Sequence, residues 1–302
     1  MSCLRCLLPI SEGSTCYGMH EKCYATWFRV PSTAIFTSLT RRSGPSTSDD
    51  ISKIDAAPQN NSFFLGRFKK YSALLNGRSF ILKMGQSEAP ELPSVEYLCN
   101  QIGKELGIPV ADFFIINFEG ELVFVTENFI KKSITPTDLQ HIHHFRSTED
   151  HNCRGLVSTI TKQTGRPYDV KVLIMTILFD ALIGNHDRHG RNLGFIITAN
   201  ERSLSPIYDN VSYLSLESGD MLKADFNPLG KIATESSEDP TMLDYITEFI
   251  NMGFYKEITE FYQRIKLEKI EYLIQKSFCS SLMKQALRSL IFKRYTELKN
   301  EI

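Results

Sequence analysis

No apolar run in these 302 residues approaches the ~20 that a membrane-spanning helix requires. Met1 to Ile10 is interrupted by Arg5 and has no signal-peptide core. Net charge is missing as well. The 34 basic and 35 acidic residues leave −1, so no bulk field points toward nucleic acid or an anionic membrane. Nothing indicates a fibre or a repeat array; at 42% hydrophobic and 23% charged, the chain reads as globular and long enough for two lobes with separate cores. A cytoplasmic location is expected, with no membrane and no direct nucleic-acid partner. A zinc-dependent nucleic-acid binder is disfavoured because no basic, aromatic-interleaved stretch accompanies the N-terminal cysteines.

Charged and amide side chains concentrate between Leu182 and Phe195, in Leu-Ile-Gly-Asn-His-Asp-Arg-His-Gly-Arg-Asn-Leu-Gly-Phe, flanked by apolar segments. Asp187 and Asn192 have the spacing of the catalytic-loop Asp and the metal-holding Asn of protein kinases. Phosphoryl transfer needs a carboxylate to orient the attacking hydroxyl and an oxygen ligand nearby for the magnesium on the phosphates. One short loop holds both. A second acid, Asp209, follows the apolar pair Ile207-Tyr208 and takes the place of the metal-chelating kinase Asp, although no Asp-Phe-Gly triplet is present. A solvated loop is the plain alternative for such composition, and the partners found upstream argue against it.

Upstream, Phe63 to Leu75 reads as strand, glycine turn, strand, and Asn76-Gly77 as a tight hairpin turn before the strand Ser79 to Met84. Gly66 would let backbone N–H groups close over phosphates. Lys83 sits among apolar neighbours, where a desolvated ammonium requires a counter-charge. Glu96, early in a helix from Val95 to Leu106 with a Leu98, Ile102, Leu106 stripe, supplies it at kinase-like separation. The plain alternative for Lys83 is an edge-strand lysine that guards against aggregation. Ala111 to Asn117 and Leu122 to Glu127 form a second hairpin about Glu119-Gly120 and finish a small lobe. Thr126 to Phe129 is the expected hinge, with the backbone of Glu127, Asn128 and Phe129 meeting adenine.

Asn185, Asp187, Arg188, His189 and Asn192 together form Asn-x-Asp-Arg-His-x-x-Asn, and with them the sequence resembles the HipA-like serine/threonine kinases, bacterial toxin kinases. The resemblance is sharpest from Gly66 to Leu214. It implies an α+β, bilobal protein-kinase-like fold with a small β-rich N-lobe and a large helical C-lobe. It also implies ATP and Mg2+ as nucleotide and cofactor, with Asp187, Asn185, Arg188 and His189 catalytic and Asn192 and Asp209 on the metal. Gly66, Lys70 and Ser72 align with the family's phosphate loop, with Phe68 where Gln is usual; Lys83 and Glu96 complete the ATP site. Short, HipT-like members place an autophosphorylated Ser-x-Ser before that glycine. Phe63 and Leu65 stand there instead, so any autophosphorylation is expected on Ser62 or within Thr37 to Ser48. Family substrates are aminoacyl-tRNA synthetases, which implies growth arrest, and family partners are a small or a DNA-binding antitoxin. Translocation into a host cell, or a silent pseudokinase that only binds antitoxin or nucleotide, are the alternatives.

Of seven cysteines, Cys3, Cys6, Cys16 and Cys23 lie in the first 23 residues, a spacing that in a cytosolic chain points to metal before disulfides. Cys3-x-x-Cys6 and His20-x-x-Cys23 supply four ligands in two close pairs, as tetrahedral zinc prefers, with Cys16 spare or an alternative ligand. Reduced thiols packed as small hydrophobes are the other reading. Short HipA-like members resemble this opening.

The expected organisation is a Cys/His-rich segment 1–31, a linker or mobile loop 32–61, an N-lobe 62–130 and a helical C-lobe 131–302. Segment 32–61 is a solvated tether or a regulatory stretch by composition. Tyr168 to Ile183, after Pro167, is apolar nearly all round and should be a central buried helix that delivers the catalytic loop. Leu193 to Thr198 and Ser205 to Tyr208 are expected as a short strand pair, and Met221 to Asp239 as a surface loop. Beyond Thr241, amphipathic helices carry stripes that begin Leu243, Ile246, Ile250.

Overall fold

A computed structural model describes residues 1–11, 15–42, 70–130, 137–145, 151–224 and 227–302. Gly66 and Ser62 fall outside the described residues, as do Phe63, Leu65 and Phe68. The chain divides into two compact units, Met1–Tyr97 with Ala111–Phe129, and Leu98–Val110 with Ile130–Ile302. No described helix is long and apolar enough to cross a membrane.

The first unit holds helix α1 (Glu21–Phe28) and a five-stranded antiparallel sheet in the order β1-β2-β3-β5-β4. Its strands are β1 (Thr37–Arg42), β2 (Lys70–Leu75), β3 (Arg78–Met84), β4 (Phe113–Phe118) and β5 (Glu121–Glu127). Two hairpins turn as their sequences require. Asn76-Gly77 and Glu119-Gly120 are both at positive φ in consecutive pairs, the conformation whose twist matches the flanking strands. Side chains alternate across the sheet. On one face Ala73, Leu75, Phe80, Leu82, Phe114, Ile116, Val123 and Val125 share a core with Met19, Tyr24, Phe28, Val30 and Phe36 of the N-terminal segment. Phe28 stacks on Phe114 with ring centroids 4.2 Å apart. The other face carries Lys70, Ser72 and Lys83.

The segment expected as linker contains strand β1, which pairs with β2 from Thr37↔Leu74 to Arg42↔Lys70. Its sequence shows no hydrophobic alternation, and the backbone ladder to β2 holds it in place.

Helix α2 (Leu92–Glu105) begins in the first unit and ends in the second. Leu98, Ile102 and Leu106 are buried, as their stripe predicts. The second unit continues with α3 (Cys153–Thr164), α4 (Pro167–Ile183), α5 (Met242–Asn251), α6 (Tyr255–Arg264), α7 (Leu267–Lys276) and α8 (Ser281–Asn300). α4 starts on Pro167, is buried on all sides from Val172 to Ile183, and stops at Gly184, whose φ of 69° is the left-handed conformation a helix C-cap favours. An added Cβ at Gly184 would lie 2.5 Å from Pro228 and 2.8 Å from Leu290.

A three-stranded sheet, β6 (Asp138–His141), β7 (Gly194–Ile197) and β8 (Arg202–Leu204), lies in this same unit. The strand expected at Ser205 to Tyr208 is instead β8, just before it. Pro206 offers no N–H to a ladder, and Ile207 makes a single parallel bridge to Val110. β6 replaces helix in a stretch with no strand periodicity, since pairing with β7 creates it. In α5 Ile246 is buried as expected, but its buried companions are Met242, Tyr245 and Phe249, and Leu243 and Ile250 are exposed. The loop from Met221 to Asp239 buries Leu222, Ile232 and Thr234, and a 3-10 turn covers Gly219–Lys223.

Candidate active site

Two constellations emerge, one in each unit. In the first, the Lys83 ammonium is ion-paired with Glu96 and lies 5.4 Å from the centroid of the Phe124 ring. Both charged groups are buried, Lys83 at 5% and Glu96 at 2% exposure. β3 places Lys83 on the face opposite Phe80 and Leu82, and α2 brings up the carboxylate that makes its burial tolerable. The ladder sets Lys70, also buried, directly opposite Lys83, so two cations share this face. Ser72, on the same face, donates its hydroxyl to the Thr40 carbonyl at 3.5 Å. At the expected hinge, the N–H of Glu127 donates to Asp112 O and that of Asn128 to Ser79 O, each at 2.9 Å, and the Glu127 carboxylate pairs with Arg78.

In the second unit, α4 ends and the loop Asn185 to Asn192 begins. Arg188 organises it. The guanidinium is 1% exposed and grips Asp180 of α4 in a fork, Nε to Oδ2 at 2.7 Å and Nη2 to Oδ1 at 2.8 Å. Its remaining N–H groups reach the carbonyls of Asn192 (3.2 Å) and Tyr208 (2.8 Å) and the amide oxygen of Asn210 (2.6 Å). Burial works against its charge, but the adjoining Asp180, with Asp209 adding, holds its pKa above the ordinary arginine value. Asn185 donates to the same Asp180 at 2.9 Å and accepts the N–H of Asp187 at 3.1 Å. Asn192 donates from Nδ2 to the Asp187 carbonyl at 2.8 Å. The backbone is thus fixed at both ends of the loop, while the Asp187 carboxylate points to solvent, its side chain 64% exposed.

His189 stands beside it, with Nε2 3.8 Å from Asp187 Oδ1 and Nδ1 accepting the Arg191 N–H at 3.2 Å. Asp209 has φ of 54°, rare for a residue with a side chain, and its two chain neighbours are the ones Arg188 bonds. Tyr208 in turn bonds His141 Nδ1 at 2.9 Å and Arg191 O at 3.1 Å. Burial and the adjacent Asp209 raise its pKa well above the usual phenol value, so it is a neutral strut.

The predicted residues Asn185, Asp187, Arg188, His189 and Asn192 therefore share one loop, and Arg188 ties that loop to the segment carrying Asp209. Sequence reasoning missed Asp180, Asn210, Asn100, His141 and His151. Asp180 had a signal, since a carboxylate deep in an otherwise apolar helix needs a cation. Asn210, bonded to Asn100 at 3.0 Å, and His151, on the Arg188 carbonyl at 2.7 Å, had none. At the N-terminus, Cys3, Cys6, His20 and Cys23 converge. Cys16 does not join them; its Sγ faces the Ser32 carbonyl at 3.4 Å.

The family model for the HipA-like C-terminal domain matches residues 54–287. A serine/threonine-protein kinase of Helicobacter pylori strain J99, CtkA, is 23% identical over 226 residues, 67% of this chain and 70% of that protein. Among solved structures, the crystal structure of a Helicobacter pylori proinflammatory kinase, CtkA, aligns with a TM-score of 0.66 at 20% identity, covering 78% of this chain and 90% of that one. The Shewanella oneidensis HipA, from a toxin–antitoxin complex of HipA, HipB and operator DNA, aligns with a TM-score of 0.57 at 15% identity, covering 96% and 74%. The mixed sheet-and-helix fold is shared with these kinases.

Proposed function

The chain belongs to the HipA-like C-terminal domain family, and from that premise we propose that it is an ATP- and magnesium-dependent serine/threonine protein kinase. The observation that carries this reading is the Arg188 network, which fixes the backbone of the Asp187–Asn192 loop and of the Asp209 segment while leaving the Asp187 carboxylate exposed. A rigid loop holding one accessible carboxylate suits a reaction in which positioning dominates.

Asp187 accepts the proton of the incoming Ser or Thr hydroxyl, and Asn185, by holding the Asp187 N–H, sets where the carboxylate stands. Arg188 is a positioning residue. His189 flanks the carboxylate, its Nε2 3.8 Å from Asp187 Oδ1. The amide oxygen of Asn192 and the carboxylate of Asp209 are hard oxygen donors suited to Mg2+, which neutralises phosphate charge when bound. Lys83, held by Glu96, and Lys70 opposite it offer two cations to the nucleotide phosphates. Gly66 and Ser72 belong to the proposed phosphate loop, and Glu127, Asn128 and Phe129 contact the base. Ser62, or the cluster from Thr37 to Ser48, is the proposed autophosphorylation site.

The first acceptor to test is an aminoacyl-tRNA synthetase, with growth arrest as the consequence, and the HipA–HipB complex supports a search for an antitoxin partner. The similarity to a kinase described as proinflammatory supports a second reading, translocation and action on host proteins. The kinase proposal is tested by incubating the protein with magnesium, ATP and bacterial lysate, then mapping new phosphate by mass spectrometry. New phosphoserine or phosphothreonine supports it. No phosphate on any protein, this chain included, would favour a nucleotide-binding pseudokinase.

A further inference from the structure

The proposed kinase chemistry makes no use of Cys3, Cys6, His20 and Cys23, whose ligand atoms all lie within 4.8 Å of one another. Local backbone geometry explains the convergence. The Cys3 N–H donates to Leu8 O and the Leu7 N–H to Cys3 O, each at 2.9 Å, and Leu7 at φ 61° closes the turn between Cys3 and Pro9. A second turn, closed by the Cys16–Met19 bridge with Tyr17 and Gly18 at positive φ, leads into α1. His20 stands at the N-cap position of that helix with its ring free of any capping bond, and Cys23 lies in the first turn.

The ring of His20 is held in one sense. Its Nε2 is 3.0 Å from the Pro9 carbonyl, which can only accept, so Nε2 carries the proton and Nδ1 presents its lone pair to the sulfurs. Nδ1 is 3.5 Å from Cys6 Sγ and 3.8 Å from Cys23 Sγ. Neighbouring ligands of a tetrahedral zinc stand about 3.5 Å apart, given Zn–S of ~2.3 Å and Zn–N of ~2.0–2.1 Å. Cys3 is fully buried at the base of this cluster. Three sulfurs and an imidazole lone pair gathered this closely, with no disulfide among them, make a cation site.

We propose that Cys3, Cys6, His20 and Cys23 bind one zinc ion through three thiolates and a neutral imidazole. The site is structural, because four protein ligands leave no open position for a substrate. It fastens a segment too short to build its own core, whose Met19, Tyr24 and Phe28 are buried against Phe80 and Phe114 of the sheet. This proposal is independent of the kinase reading.

The full chain, purified without added zinc, is expected to contain about one equivalent of zinc by elemental analysis. Cys23→Ser should lose it, while Cys16→Ser, outside the cluster, should keep it. Should Cys23→Ser fail to fold, cobalt(II) exchanged into the unsubstituted protein should give tetrahedral d–d bands and strong thiolate-to-cobalt charge transfer. A folded, metal-free protein whose cysteines at 3, 6 and 23 react freely with a thiol reagent would overturn the proposal, as would an octahedral cobalt spectrum or loss of zinc from Cys16→Ser.

Discussion

Arg188 grips Asp180 through two parallel hydrogen bonds of 2.7 and 2.8 Å, with both side chains buried. Removing one partner strands the other's charge in the core. Arg188→Ala should therefore cost about 3–5 kcal/mol in denaturant unfolding. Arg188→Ala combined with Asp180→Asn should recover part of that loss. A single-variant cost below ~1 kcal/mol would mean that the pair is far better solvated than its burial indicates.

Lys83 and Glu96 give a different readout. Lys83→Met should weaken ATP binding at least tenfold in calorimetric titration, about 1.4 kcal/mol, in line with ~1.5–3 kcal/mol for a hydrogen bond to a charged group. Glu96→Gln should weaken it less, since Lys83 stays. Unchanged ATP affinity in folded Lys83→Met would move the phosphates away from β3.

Gly184→Ala probes the end of α4. It forces a Cβ into the left-handed region and against Pro228 and Leu290, so unfolding should be easier by roughly 2 kcal/mol or more. Gly77→Ala meets no neighbour within 4 Å and should cost only its backbone strain, about 1–2 kcal/mol. Equal costs at the two sites, measured in the same denaturant, would remove the packing argument.

Stability should also depend on pH. Burial lowers the pKa of both His143 and His186 from 6.5, with His144 and Arg191 adding at the first and Lys231 at the second, where Asp187 opposes. Just below pH 6.5 the unfolded chain then binds more protons than the folded one, so the stability these groups contribute is complete above that value and is lost as pH falls through their folded pKa values. The unfolding temperature should drop between about pH 7.5 and 5.5, less steeply in a His143→Gln, His186→Gln double variant. An unaltered slope in that variant would assign the effect to other groups.

Much of this arrangement was legible in the chain because it is local. Hairpin turns announce themselves as Asn76-Gly77 and Glu119-Gly120, α4 as an unbroken apolar helix ending at Gly184, and the loop as Asp187 and Asn192 at fixed spacing. What escaped depends on distant partners. β1 and β6 exist because β2 and β7 pair with them, and Arg188 bonds Asp180, Tyr208 and Asn210, which lie 8, 20 and 22 positions away. Within α5, two candidate apolar stripes share Ile246, and tertiary packing chose Met242 over Leu243.

Asp187→Asn separates binding from chemistry, which is where the central claim stands or falls. Nucleotide affinity and phosphate transfer would be measured on the same folded preparation, with magnesium and ATP, beside the unsubstituted protein. If Asp187 takes the acceptor proton, the variant binds ATP with nearly unchanged affinity and transfers no measurable phosphate. Phosphorylation comparable to the unsubstituted protein would contradict the assignment.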